Sequence, residues 1–85
     1  MASYNIIFHR DFQKELKKIP KKDVLRILDA IGALAGNPYP PGSNKLSGSD
    51  AHRIRIGIYR VVYRVEDGEL IVYILKIAHR KDVYK

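Results

Sequence analysis

Residues 52–64 read HRIRIGIYRVVYR. Arginine alternates with isoleucine in Arg53-Ile54-Arg55-Ile56. A period of two marks a β-strand with one charged and one apolar face. Gly57-Ile58 places glycine first in a two-residue link, which suits a tight hairpin. That turn sets Arg55 opposite Arg60 on the next strand. Like charges so placed cost stability. A chain that tolerates the cost reads as one that uses the charge, and phosphate is the natural ligand of crowded guanidinium groups.

Working outward, strands are expected over 52–57, 59–66 and 69–78. Asp67-Gly68 predicts a second two-residue hairpin of the opposite glycine pattern. Alternation then sorts the faces. Ile54, Ile56, Tyr59, Val61, Tyr63 and Val65 fall on one side, with Leu70, Val72 and Ile74. The other side carries Arg53, Arg55, Arg60, Val62, Arg64 and Tyr73, and Arg60 is expected to be exposed there. Lys76 is expected to snorkel at the sheet edge. His52 is expected to be exposed and inert.

Upstream, Tyr4 to Phe8 reads as a first strand. Phe12, Leu16 and Ile19 recur at helical spacing, and Pro20 stops that helix. His9 is placed at its N-terminus, as a cap or exposed. A second helix is expected over 22–35, with Val24, Leu25, Ile27, Leu28, Ile31 and Leu34 as its apolar stripe. Gly36-Asn37-Pro38 ends it. Residues 36–44, GNPYPPGSN, form a stiff crossover, and Lys45-Leu46-Ser47 is expected as a short edge strand. The order is strand, helical hairpin, then three to four antiparallel strands. This is a two-layer α+β fold with both helices on one face of the sheet. The arginine face is therefore expected to be open, or covered only by a partner.

The chain of 85 residues is read as a single domain, 1–85, with enough apolar content (46%) for one modest core. Net charge is +7, from 16 basic and 9 acidic residues, which favours a nucleic-acid partner. Cysteine is absent, so disulfide and thiolate chemistry are excluded and a reducing, cytoplasmic compartment is expected. The three histidines, His9, His52 and His79, lack paired metal-ligand spacing, so neither metal nor cofactor is expected. No apolar run approaches the ~20 residues that span a bilayer, and MASYNIIFHR carries no signal-peptide pattern.

Four segments carry a family resemblance: Leu16-Lys17-Lys18-Ile19-Pro20, NKLSG at 44–48, RIRIGIYRVVYRV at 53–65, and IAHRKDVYK at 77–85. Together they resemble the RelE/ParE superfamily of toxins, in its RelE-like branch. The resemblance covers nearly the whole chain. It implies a toxin of a type II toxin–antitoxin system that cleaves messenger RNA in the ribosomal A site without metal and is silenced by a cognate antitoxin. It also implies that Arg53, Arg55, Arg60, Arg80 and Tyr84 occupy catalytic or substrate-clamping positions. Some members carry lysine where this chain has Arg53 and Arg55.

RNA supplies its own nucleophile, the 2′-hydroxyl. Cleavage then needs a base, an acid for the departing 5′-oxygen, and cations around the phosphorane-like state. Arg53, Arg55, Arg60 and Arg80 are the candidate cations. His79 and Tyr84 are the candidate bases: histidine titrates near neutral pH, and neighbouring arginines would lower a phenol. Lys45, Arg64, Lys81 and Lys85 are further RNA-binding candidates, and Tyr73 is a candidate stacking platform. Arg64 has a second reading as an ion-pair partner of Glu66 or Glu69, and Tyr73 as plain strand packing. With an ideal Asp67-Gly68 hairpin, His79 shares the arginine face and Arg80 does not. A bulge near Ala78 would bring Arg80 into the site. Two other functions remain on the table: a gyrase inhibitor, as in the ParE-like branch, and an inactive RNA-binding relative.

Overall fold

The first strand, β1 (Asn5–Phe8), leads through His9 into a short helix, α1 (Arg10–Leu16). His9 is the N-cap: its Nδ1 accepts the backbone N–H of Asp11 at 3.1 Å. Beyond Leu16 the chain continues as a turn, and Pro20 becomes the N-cap residue of the longer α2 (Lys21–Ala33). Two-residue β2 (Asn44–Lys45) follows the crossover, then β3 (Ala51–Ile56), β4 (Tyr59–Glu66) and β5 (Ile71–His79). A computed structural model supplies these coordinates and describes residues 3–79.

All five strands join one sheet in the order β1-β5-β4-β3-β2. The contacts β2–β3, β3–β4 and β4–β5 are antiparallel, while β1 lies parallel to β5. The parallel pairing follows from the connection: a helical hairpin between β1 and the later strands gives the chain length to return in the same direction. The expected α+β, two-layer architecture is thus present. The edge strand is Asn44–Lys45 rather than 45–47.

Both helices pack on one face. Phe12, Ile27, Ile31 and Leu34 close on Ile54, Val61, Tyr63, Val72, Ile74 and Ile77. Leu16, Ile19, Ile56, Tyr59 and Val65 flank this core. The helical stripe is narrower than expected, since Leu25 stays 61% exposed and Leu28 is exposed beside it. Ile27, Ile31 and Leu34 recur at i, i+4 and i+7 and take the centre of the contact.

The first hairpin is as the sequence predicts. Ile56 pairs with Tyr59, Arg55 with Arg60, and Gly57 adopts a φ of 62° that only glycine takes readily. The second hairpin differs. Glu66 pairs with Ile71, so the loop is the four residues Asp67 to Leu70 rather than Asp67-Gly68 alone. Leu70, expected in the core, is an exposed turn residue with a φ of 54°. The shift is by two residues, so the face assignment of Val72 and Ile74 survives it.

A bulge then breaks the alternation. Tyr63 pairs with Ile74 and Val62 with Lys76, leaving Leu75 unmatched. The extra residue lies at Leu75, not near Ala78. Beyond it the parity of β5 is inverted. Ile77 joins the core. Lys76 turns out exposed on the arginine face of an interior strand, instead of snorkelling at an edge.

Candidate functional site

Register places the charged face. Across β2, β3, β4 and β5, Asn44, Arg53, Val62 and Lys76 stand in one row. The next row toward the Gly57 turn holds Arg55, Arg60 and Ala78. On the other flank Arg64 is paired with both Ala51 and Tyr73. Residues directly opposite across antiparallel strands have Cβ atoms about 5 Å apart, so Arg55 and Arg60 are a close like-charged pair. The sequence expectation that Arg53, Arg55, Arg60 and Arg64 share one face holds.

The four arginines are not equivalent. Arg55 is exposed and Arg53 half-buried, and neither makes an ion pair among the described residues. Together with Pro41, Gly42, Asn44 and Ile54 they line a cavity of about 380 Å³. Arg60, expected to be exposed, is buried at 4%. It sits on the central strand β4, between β3 and β5. Arg64 takes its ion-pair reading: its Nη1 bonds the Glu66 carboxylate. Its guanidinium also lies 4.7 Å from the Tyr73 ring centroid. Tyr73 therefore shares the arginine face, with one side of its ring already occupied by Arg64.

Other candidates fall elsewhere. Lys45 pairs with His52 and so belongs to the helix side of the sheet edge. The Leu75 bulge sends His79 to the helix side as well, contrary to the ideal-hairpin expectation. There it pairs with Tyr59 across the sheet and meets that ring edge-on at 5.6 Å. Glu15, Lys18, Ile19 and Ile77 surround the same spot. Arg80, Lys81, Tyr84 and Lys85 lie outside the described residues.

Two features escaped the sequence reading. One is Lys76, an added cation on the arginine face. The other is a set of tyrosine contacts that holds the crossover loop against the helix side of the sheet. The Tyr4 and Tyr39 hydroxyls both donate to the Asp67 carboxylate, at 2.6 and 2.9 Å. Those bonds hold the Asp67 carboxyl below its ordinary range, Tyr4 contributing most. Burial, with Asp67 as a second cause, pushes the Tyr39 phenol up to about 12. Inside, the Tyr63 hydroxyl donates to the Pro38 carbonyl at 2.7 Å. His52, expected to be exposed, is half-buried: its ring lies 5.1 Å from Tyr39 and 5.7 Å from Tyr63. The aspartate in the β4–β5 turn was readable only as a turn former. Its partners are 63 and 28 residues away, so no local signal announced them.

Among the described residues no three of His, Cys, Asp and Glu come together as a metal-binding group. Their helices include none long and apolar enough to cross a membrane.

Comparison with known proteins supplies the family. A family model described as "ParE toxin of type II toxin-antitoxin system, parDE" matches residues 6–84. A RelE1 chain of Methanocaldococcus jannaschii is 35% identical over 86 residues, covering 96% of each chain. Toxin RelG of Mycobacterium tuberculosis is 30% identical over 86 residues, covering 96% of this chain and 97% of its own. Among solved structures, the archaeal RelE–RelB complex of Pyrococcus horikoshii superposes with a TM-score of 0.84 at 32% identity, covering 94% of this chain and 97% of that one. On fold and on sequence, the chain belongs to the RelE/ParE superfamily of type II toxin–antitoxin toxins, in its RelE-like branch.

Proposed function

We propose that this toxin is a metal-independent endoribonuclease that cleaves messenger RNA on the ribosome, at the A site, and so stops translation. The observation that carries the reading is the pair Arg53 and Arg55. Both are accessible, neither is in an ion pair among the described residues, and they share a cavity of about 380 Å³. The one carboxylate among the described strand residues of that face, Glu66, is engaged by Arg64. A surface so arranged attracts a phosphodiester and stabilises added negative charge on it.

In the reaction the 2′-oxygen attacks the adjacent phosphorus and the bond to the 5′-oxygen breaks. A base takes the 2′-proton and an acid returns one to the departing oxygen. Arg53 and Arg55 clamp the phosphate. Arg60, opposite Arg55 on the neighbouring strand, is the third basic residue assigned to the site. His79 stands on the helix side, so we assign the base to Tyr84, the other candidate that the sequence offers. Arg80, Lys81 and Lys85, which lie outside the described residues, are carried as further basic candidates for RNA from the sequence, with Lys45 and Arg64 as peripheral RNA contacts.

Several of the similar structures, among them the archaeal RelE–RelB complex and RelBE2 of Mycobacterium tuberculosis, are toxin–antitoxin complexes. By that likeness a cognate antitoxin binds this chain and silences it, through an acidic or amphipathic segment that matches the basic face. The cell compartment is the cytoplasm, where ribosomes and reduced proteins are found.

The test is mapping of transcript ends by primer extension after induction, with and without translation of the transcript. Cuts confined to translated regions support the reading. Intact RNA with broken DNA would transfer it to gyrase poisoning. Intact RNA and DNA with unimpaired growth would leave an inactive relative.

A further inference from the structure

We propose that the cavity at the β2 edge is a nucleobase pocket in which the Asn44 carboxamide reads one base beside the scissile phosphate, with adenine preferred. The inference rests on the ribonuclease reading and adds to it a substrate preference and the residue that sets it.

The cavity combines two kinds of wall. Arg53 and Arg55 supply one, and Pro41, Gly42 and Asn44 supply the other. Asn44 lies directly opposite Arg53 in the β2–β3 ladder. Neighbouring strands are about 4.8 Å apart. With Asn44 this close, a nucleotide whose phosphate is gripped at Arg53 has room for its base in the cavity on the β2 side. Pro41 offers that base an apolar ring. Gly42 has a φ of 91°, and a Cβ built on it would meet nothing within 4 Å, so the wall there is bare backbone with room beside it.

Asn44 is the polar group best suited to discriminate bases. It is exposed, and its amide makes one hydrogen bond among the described residues, a 3.5 Å contact to the Gly42 carbonyl. That length is beyond a good N–H···O bond. Its carboxamide presents a donor and an acceptor side by side, the complement of the adenine edge. Arginine offers donors only and would favour guanine instead. Single-stranded RNA exposes these base edges to such a reader.

The reading wall is held in place before substrate arrives. Ser43 N–H donates to the Pro40 carbonyl at 3.0 Å, closing a turn. The Tyr63 hydroxyl fixes Pro38 and the Tyr39 hydroxyl ties the loop to Asp67. A wall already ordered loses little entropy on binding, and that favours discrimination.

The experiment maps the 5′ ends of cleaved transcripts in cells expressing the wild type, Asn44→Ala or Asn44→Asp. The readout is base frequency at each position flanking the cut. Wild type is expected to show adenine enriched at one fixed flanking position. Asn44→Ala is expected to lower that enrichment about tenfold, the scale of one bidentate base contact. Asn44→Asp is isosteric and accepts only, so its preference should move toward cytosine, whose amino group donates. An unchanged base distribution in both variants overturns the pocket and leaves the nuclease reading standing. Guanine enrichment that survives Asn44→Ala also overturns it, giving the reading role to an arginine. Wild type that cuts no RNA removes both proposals together.

Discussion

Arg55 and Arg60 face each other across the hairpin closed by Gly57 and Ile58, yet Arg55 is open to solvent and Arg60 is 4% exposed. The pair divides one cationic cluster into an accessible member and an interior one. The two side chains answer differently to removal. Arg55→Ala should abolish growth inhibition while shifting stability by no more than about 0.5 kcal/mol, as for other exposed positions. Arg60→Ala should also abolish it, but with a loss of about 1–3 kcal/mol from truncating a buried side chain. Denaturant titration beside a growth assay separates the two. Full toxicity of Arg55→Ala would remove it from the clamp.

The Asp67 clamp predicts a pH dependence. The hydrogen bonds from Tyr4 and Tyr39 lower the folded-state pKa of the carboxyl. Its contribution is thus fully present above the ordinary carboxylate value and fades as pH falls through the lower folded one. Tyr39 works in the opposite sense. Its folded value is raised from 10.0 to about 12, so its contribution is complete below 10.0 and is lost as pH climbs through about 12. Asp67→Asn should melt below wild type at neutral pH, and the gap should close in acid. A gap that persists unchanged into strong acid would show that the Asp67 charge is not what matters.

Tyr63→Phe should cost about 1–2 kcal/mol by chemical denaturation. The lost hydroxyl leaves the buried Pro38 carbonyl without its partner. Amide exchange in residues 39–44 should quicken, because that bond anchors the loop. Unaltered exchange there would mean the loop is held by Asp67 alone.

Lys76→Ala should weaken binding to single-stranded RNA without changing which sequence is preferred. It removes one cation from the arginine face, so the slope of log affinity against log salt should fall by about 0.7. Binding titrations over a range of salt measure it. An identical slope would place Lys76 outside the RNA path.

Alternation along 52–66 made the first hairpin legible, and with it the common face of Arg53, Arg55, Arg60 and Arg64. Glycine at 57 declared the turn because glycine takes a positive φ without steric cost. The second hairpin was harder to read. Asp67-Gly68 looked sufficient, but the observed loop runs on to Leu70, with Asp67 satisfied by phenols from distant segments. The bulge at Leu75 had no signature either, since Ile74-Leu75-Lys76-Ile77 fits more than one register. One unmatched residue moved Lys76 into the cationic face and His79 out of it.

The amino-acid order by itself determined the elements, the two faces of the central strands and the crowding of arginines, because all three follow from side-chain spacing within a few residues. Only the folded chain decided how deep each arginine lies, which way β1 runs, and which end of β5 faces the helices. Those depend on strands meeting across tens of residues, where packing chooses among registers that local pattern leaves equivalent.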